Sequence, residues 1–158
     1  MGSDGVTGPS ADELRAFEAA TRDLVGLALR SVERSELSLP QFRLLLVLYE
    51  LGTVSSTQCA RALGVAGSSV TRLADRLHKS GLLQRGADPH NRSVVTLALT
   101  PAGRRAVRQV TDRRRRELTK ALGQLDPQRR RECAATLDRL HELLDPGAPA
   151  DGAHRLLL

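Results

Sequence analysis

The chain has 158 residues, 41% of them hydrophobic, and carries 24 Lys+Arg against 18 Asp+Glu for a formal net charge of +6. That length fits one domain with an appended assembly element, and the apolar content excludes a disordered chain. The cationic excess favours a polyanionic partner, nucleic acid being the commonest, while the few aromatics (Phe17, Phe42 and Tyr49, no Trp) exclude a stacking platform for single strands.

Residues 1–9 are Gly-rich and expected to be mobile. Ser10 with Glu13 forms a capping box, in which each side chain satisfies a backbone N–H of the other residue. Leu14, Phe17, Thr21, Leu24 and Ala28 then follow at helical spacing, so one helix is expected to about Arg34. Ser38 and Gln41 make a second box, with Pro40 tolerated in the first turn because its missing N–H would be unpaired anyway. The run from Phe42 to Leu51 is nearly all apolar, which predicts a helix buried on most sides and ended by Gly52.

Ser55 and Gln58 open a short third helix through Cys59, Ala60 and Leu63, stopped by Gly64. A fourth helix is expected from about Gly67 to Ser80, with Gly81 beyond it. Its apolar residues Val70, Leu73, Ala74 and Leu77 fall on one face. Ser68, Arg72, Asp75 and Lys79 lie opposite, with Ser69, Thr71 and Arg76 on the flanks. Two short helices joined by a Gly-containing turn, the second polar and cationic outside, predict a helix-turn-helix. Leu82–Arg85 and Val94–Leu99 read as strands around a polar turn from Gly86 to Arg92, which adds a wing with an arginine near its tip.

Thr100-Pro101 and Asp126-Pro127 each pair a capping residue with Pro at the first helical position, so two further helices are expected. The first carries Ala106, Val107, Val110, Leu118 and Leu122. The second carries the stripe Cys133, Leu137, Leu140 and Leu144 and is stopped by Pro146, Gly147 and Pro149. The fold class expected is therefore mainly α with a small β wing. Residues 10–37 form an N-terminal dimerisation helix, 38–100 the winged helix-turn-helix, 101–146 C-terminal dimerisation helices and 147–158 a tail. Leu14, Phe17, Leu137, Leu140 and Leu144 exceed what the small core can cover, so burial between two copies is expected.

No apolar run approaches ~18 residues, so no membrane span or membrane partner is expected, and the chain reads as soluble and cytoplasmic. Cys59 and Cys133 are far apart, and His78, His90, His141 and His154 show no paired spacing, so neither metal nor cofactor is expected. GxSxG, P-loop and Gly-rich dinucleotide patterns are absent, which argues against an enzyme.

From Leu39 to Gly103 the chain resembles the MarR family of transcriptional regulators. The residues that carry the resemblance are Gln58–Val65, Ser69–Leu77, Gly81-Leu82-Leu83, Asp88-Pro89 and Leu99-Thr100-Pro101-Ala102-Gly103. It implies a bacterial regulator with a winged helix, dimeric through interlocked first and last helices. It also implies a repressor of genes that binds double-stranded DNA at a pseudo-palindromic operator and is released by a small ligand. Ser68, Ser69, Thr71, Arg72, Arg76, Asn91 and Arg92 are the candidate DNA-binding residues. For the serines and Thr71, helix capping is the competing reading; for Arg72 and Arg76 it is pairing with Asp75 or the wing.

Phe17, Phe42 and Leu46 are the candidate lining of a cleft for a small aromatic or phenolic effector, with core packing as the alternative. Two departures from the family pattern stand out. Asn91 replaces an aspartate that steadies the wing arginine, so Arg92 is expected to be less fixed. Ala66 and Gly67 occupy positions where a capping Ser and a polar residue are common, so Ser68 is the candidate cap or the helix start is frayed. A redox sensor using Cys59 or Cys133 is one alternative function, although both cysteines read first as buried packing. A helical protein-interaction module without sequence-specific DNA binding is another. Arg113 to Arg116, inside a helix, read as a solvated, ion-paired surface.

Overall fold

The computed structural model describes residues 8–89 and 91–144. The expected end of the last helix at Pro146 and Gly147, the tail, His90, His154 and most of the N-terminal segment for which mobility was expected lie outside them.

The described residues form six helices, all but α4 begun at a side-chain cap: α1 (Ala11–Glu33), α2 (Leu39–Leu51), α3 (Ser56–Leu63), α4 (Gly67–Lys79), α5 (Pro101–Leu122) and α6 (Pro127–Leu144). All three capping boxes form, at Ser10/Glu13, Ser38/Gln41 and Ser55/Gln58. Asp126 caps α6 by accepting from the Gln128 and Arg129 amides at 2.9 and 3.1 Å. Each such cap holds a helix start in place by about 1 kcal/mol relative to Ala.

The sheet has three antiparallel strands in the order β1-β3-β2: β1 (Val54–Ser55), β2 (Leu83–Ala87) and β3 (Val95–Leu99). Two corrections follow. The wing strands begin one residue later than expected, and Gly86 and Ala87 are paired with Thr96 and Val95 rather than free in the turn. The expected strands also omit β1, which pairs Val54 with Leu97 and Ser55 with Thr96. Two residues cannot show a period-2 alternation, and Ser55 was already accounted for as a helix cap.

The core is centred on α2, as its apolar run requires. Phe42 and Leu44 to Leu48 are all buried there. Cys59 and Leu63 of α3, Val70, Ala74 and Leu77 of α4, and Leu83, Leu97 and Leu99 of the sheet close around it. Val107 and Val110 of α5 complete it, and α1 contributes only Val32 near its end. Each fully buried Leu or Val contributes roughly 1.5–3 kcal/mol by leaving water.

The last helix behaves differently. None of the residues of α6 is buried, and Leu137, Leu143 and Leu144 are 45, 63 and 77% exposed. Cys133, expected on a buried stripe, is exposed. Its stripe exists as a helical periodicity, but among the described residues none buries it, and Leu140 alone of its leucines is half-buried.

The junction that carries α5 away from the wing is tight. Gly81, with φ +70°, turns the chain out of α4. Thr100 Oγ1 donates to Gly81 O at 2.6 Å and accepts from Gly103 N at 3.1 Å, while Thr100 N donates to Leu82 O at 3.2 Å. One threonine thus ties the end of α4, the start of β2 and the first turn of α5 together.

Candidate nucleic-acid interface

The helix-turn-helix is α3 and α4, joined by Gly64, Val65 and Ala66. Gly64 sits in the left-handed region, and its N–H closes α3 on Ala60 O and Arg61 O. Helix α4 buries Val70, Ala74 and Leu77, which fixes the rotation of its outer face. Ser68, Arg72 and Arg76 are exposed on that side and Ser69 is half-buried. Ala66 is the N-cap, with no side-chain hydrogen bond, so the cap expected from Ser68 is not made. Thr71 is exposed, and its hydroxyl donates to Gly67 O at 3.1 Å, back along its own helix.

The arginines divide into two groups. Asp75, the one carboxylate of α4, pairs at 2.7 Å with Arg85 of β2. Among the described residues Arg72, Arg76 and Lys79 make no ion pair. The competing reading, in which Asp75 would hold Arg72 or Arg76, therefore does not apply, because Asp75 is held by a wing residue that sequence reasoning missed. Arg85 lies in a strand, and only the pairing of β2 with β3 brings it over α4. Arg85 also donates to Thr71 O at 3.4 Å, and His78 Nδ1 donates to Leu83 O at 3.0 Å, so α4 and β2 are fastened at two levels.

At the wing tip the loss of the expected aspartate is compensated locally. Asn91 Oδ1 accepts from Ser93 N at 3.1 Å, and Asn91 N donates to Asp88 Oδ1 at 3.1 Å. Asp88 N donates to Val94 O and Val94 N to Asn91 O, at 3.0 and 2.9 Å. The backbone that presents Arg92 is therefore held by an asparagine-centred turn, and the Arg92 side chain is exposed. An Asn91→Ala variant should speed amide exchange at Ser93 several-fold, since an intramolecular hydrogen bond is worth about 0.5–1.5 kcal/mol. Asn91→Asp, which keeps the acceptor, should leave that rate close to the wild-type value.

The three candidate effector residues are not brought together. Phe42 and Leu46 are 1 and 2% exposed inside the core, where packing accounts for them. Phe17 instead borders a groove of about 420 Å³ with Leu140 and Leu143 of α6. A larger cleft of about 700 Å³ opens elsewhere, between the end of α1, the start of α2 and α5. Arg34, Arg105 and Arg113 line it, and it reaches the last turn of α4 at Leu77 and Ser80.

The Arg113–Arg116 tetrad also differs from expectation. Arg113 Nη1 donates to Ser31 O at 3.0 Å and so ties α5 to α1. Arg114 is half-buried, and loss of water pushes its guanidinium pKa down. No member of the tetrad forms an ion pair among the described residues.

Cys59 is fully buried, and burial pushes its thiol up to about 11. A sensing thiol needs the opposite, an exposed group with a lowered pKa. Thiol reagents at pH 8 should therefore label Cys133 in the native protein and reach Cys59 only after denaturant is added. Labelling of both at equal rates in the native state would contradict this burial.

A model of the MarR family matches residues 37–95, the segment from the start of α2 to the second wing strand. The structure of RV1404 from Mycobacterium tuberculosis superimposes with a TM-score of 0.79 at 33% identity, over 87% of this chain and 97% of that one. The chain belongs to the MarR family. YsmB of Bacillus subtilis, an uncharacterised HTH-type transcriptional regulator, is 38% identical over 79 residues, which is 50% of this chain and 54% of YsmB. This chain thus spans about half the length of that relative. A variant of MepR from Staphylococcus aureus, bound to an oligodeoxyribonucleotide, superimposes with a TM-score of 0.65 at 20% identity, over 82% of this chain and 96% of that one. At that identity the likeness is one of fold. The segment matched by the family model takes in α2, α3, α4 and β2, and so contains the helix-turn-helix described above. No helix among the described residues is long and apolar enough to cross a membrane.

Proposed function

We propose that this MarR-family regulator binds a pseudo-palindromic operator in double-stranded DNA as a homodimer and represses the genes beside it. The observation that carries this reading is the exposed face of α4. Among the described residues Arg72, Arg76 and Lys79 stand there without ion-pair partners, on a helix whose rotation is fixed by buried Val70, Ala74 and Leu77. Free guanidinium groups on a rigid helix suit the major groove, and Arg92 at the wing suits the adjacent minor groove or the phosphates. The oligodeoxyribonucleotide bound to MepR supports the same use of this fold.

Dimerisation is supported by apolar side chains of α1 and α6 that are exposed among the described residues. Leu14, Phe17 and Leu24 of α1 are 53, 47 and 47% exposed, alongside the bare apolar face of α6. Two copies related by a two-fold axis would bury these faces and set two recognition helices about one DNA turn apart, ~34–36 Å. A small aromatic or phenolic effector fits the cleft below the end of α4 better than the Phe42 region. Arg113 of α5 and Leu77 of α4 both line that cleft, so a ligand filling it would couple to the recognition helix.

Footprinting with the purified protein on DNA upstream of its own gene tests the reading. Two protected half-sites about one turn apart are expected, with affinity that falls steeply as salt rises, because bound phosphates release counterions. Arg72→Ala should cost about 1–3 kcal/mol of operator binding and relax sequence preference. A salt-insensitive footprint, or the same loss on operator and random duplex, would count against base reading by α4.

A further inference from the structure

Helix α4 has a single acidic residue, and it is placed where it would do most harm to DNA binding. At 100° per residue, Asp75 falls 20° from Ser68 on the side of the outer face that meets the wing, and it is half-buried there. An uncovered carboxylate there would be repelled by phosphates. It would also accept a hydrogen bond from the N4 amino group of cytosine. In this structure Asp75 Oδ1 lies 2.7 Å from Arg85 Nη2, and the Arg85 guanidinium also reaches Thr71 O at 3.4 Å. Both contacts come from across the gap between helix and wing. The Thr71 hydroxyl points back to Gly67 O.

The free charged groups that remain for bases are donors, beside serine hydroxyls that can donate or accept. Arg72 and Arg76 are free of ion pairs, exposed, and four residues apart. That spacing is a rise of about 6 Å along the helix, close to two base-pair steps of ~3.4 Å. Guanine offers two adjacent acceptors, O6 and N7, in the geometry of a guanidinium fork.

We propose that Arg85 is a specificity-determining residue that neutralises Asp75, so that the free charged groups of the recognition helix are donors and select two guanines, read by Arg72 and Arg76. The inference rests on the DNA-binding reading above, and the two can fail separately.

Selection of duplexes from a random pool by the full-length chain is the test. The selected half-sites should contain two guanines about two base pairs apart. Replacing either by adenine should weaken binding roughly 5- to 150-fold, the span of a bidentate arginine–guanine pair of about 1–3 kcal/mol. Arg85→Met should weaken binding to the selected site at least tenfold and shift selection towards cytosine at the position facing Asp75. Adding Asp75→Ala to Arg85→Met should restore the guanine preference and most of the affinity, and Arg85→Lys alone should stay near wild type. Circular dichroism of each variant should match the wild type, since both side chains are partly exposed.

If the double variant binds as weakly as Arg85→Met, Arg85 only fastens the wing and the proposal is overturned. Half-sites without guanines overturn it as well, while leaving DNA binding intact. Failure to retain any duplex, even at low salt, would overturn the DNA-binding reading itself and the proposal with it.

Discussion

Replacing Gly103 by alanine should destabilise the protein by about 3 kcal/mol or more, the largest effect expected of any single methyl group in the chain. A Cβ at this position would lie 2.0 Å from Leu82 O and 3.1 Å from Leu82 C, both backbone atoms. A flexible side chain could move aside, as Arg30 could from a Cβ at Gly26, but Leu82 O is pinned by the amide of Thr100. Relief therefore means pulling α5 off the wing, which breaks the Thr100 contacts to Gly81 and Gly103 and opens the core at Leu99 and Val107. For a domain of this size the loss corresponds to a fall in Tm of roughly 6–12 °C. Thermal unfolding followed by circular dichroism measures it, and a shift under 2 °C would show that the junction gives easily. Gly103 belongs to the Leu99–Gly103 run that marks the family resemblance, and the close approach is the physical reason a glycine is needed there.

The second large effect concerns assembly and spares the fold. Phe17→Glu with Leu137→Glu places charges on the apolar faces of α1 and α6, where neither residue is buried within the chain. The core of α2, α3, α4 and the sheet does not include them. The variant should therefore keep its helical signal and its thermal transition for the winged-helix unit. It should sediment as a monomer at micromolar concentration, where the wild type should sediment as a dimer. Operator affinity should fall about 10²-fold or more, because two linked recognition helices bind with an effective concentration that one helix lacks. A variant that stays dimeric would move the interface to another surface.

Much of this molecule was legible before its coordinates. Capping residues declared every helix start from α1 to α3, because Ser with Glu or Gln three residues later satisfies backbone groups locally and needs no tertiary context. The apolar run of α2 likewise announced the centre of the core. What was hidden depended on distance in sequence. Strand β1 exists only because β3 lies beside it, so Val54 and Ser55 carried no pattern of their own. The partner of Asp75 was Arg85, brought close by strand pairing and not by helix spacing. The stripe of α6 was legible as apolar and as more than one chain's core can cover, while Cys133, expected to be packed, is exposed, since periodicity reports which face is apolar and not what lies against it. Phe42 and Leu46 show the same limit, because an aromatic on an apolar face looks alike whether it lines a cleft or fills a core.

The mass of the protein–DNA complex tests the central claim most directly. Sedimentation equilibrium of the chain with a short duplex carrying one operator, at about 150 mM salt, should give a complex of two chains per duplex, with no appreciable population carrying one. A complex saturating at one chain per duplex, or no complex with the operator beyond that formed with a random duplex, would contradict a dimeric regulator that reads DNA through α4 and its wing.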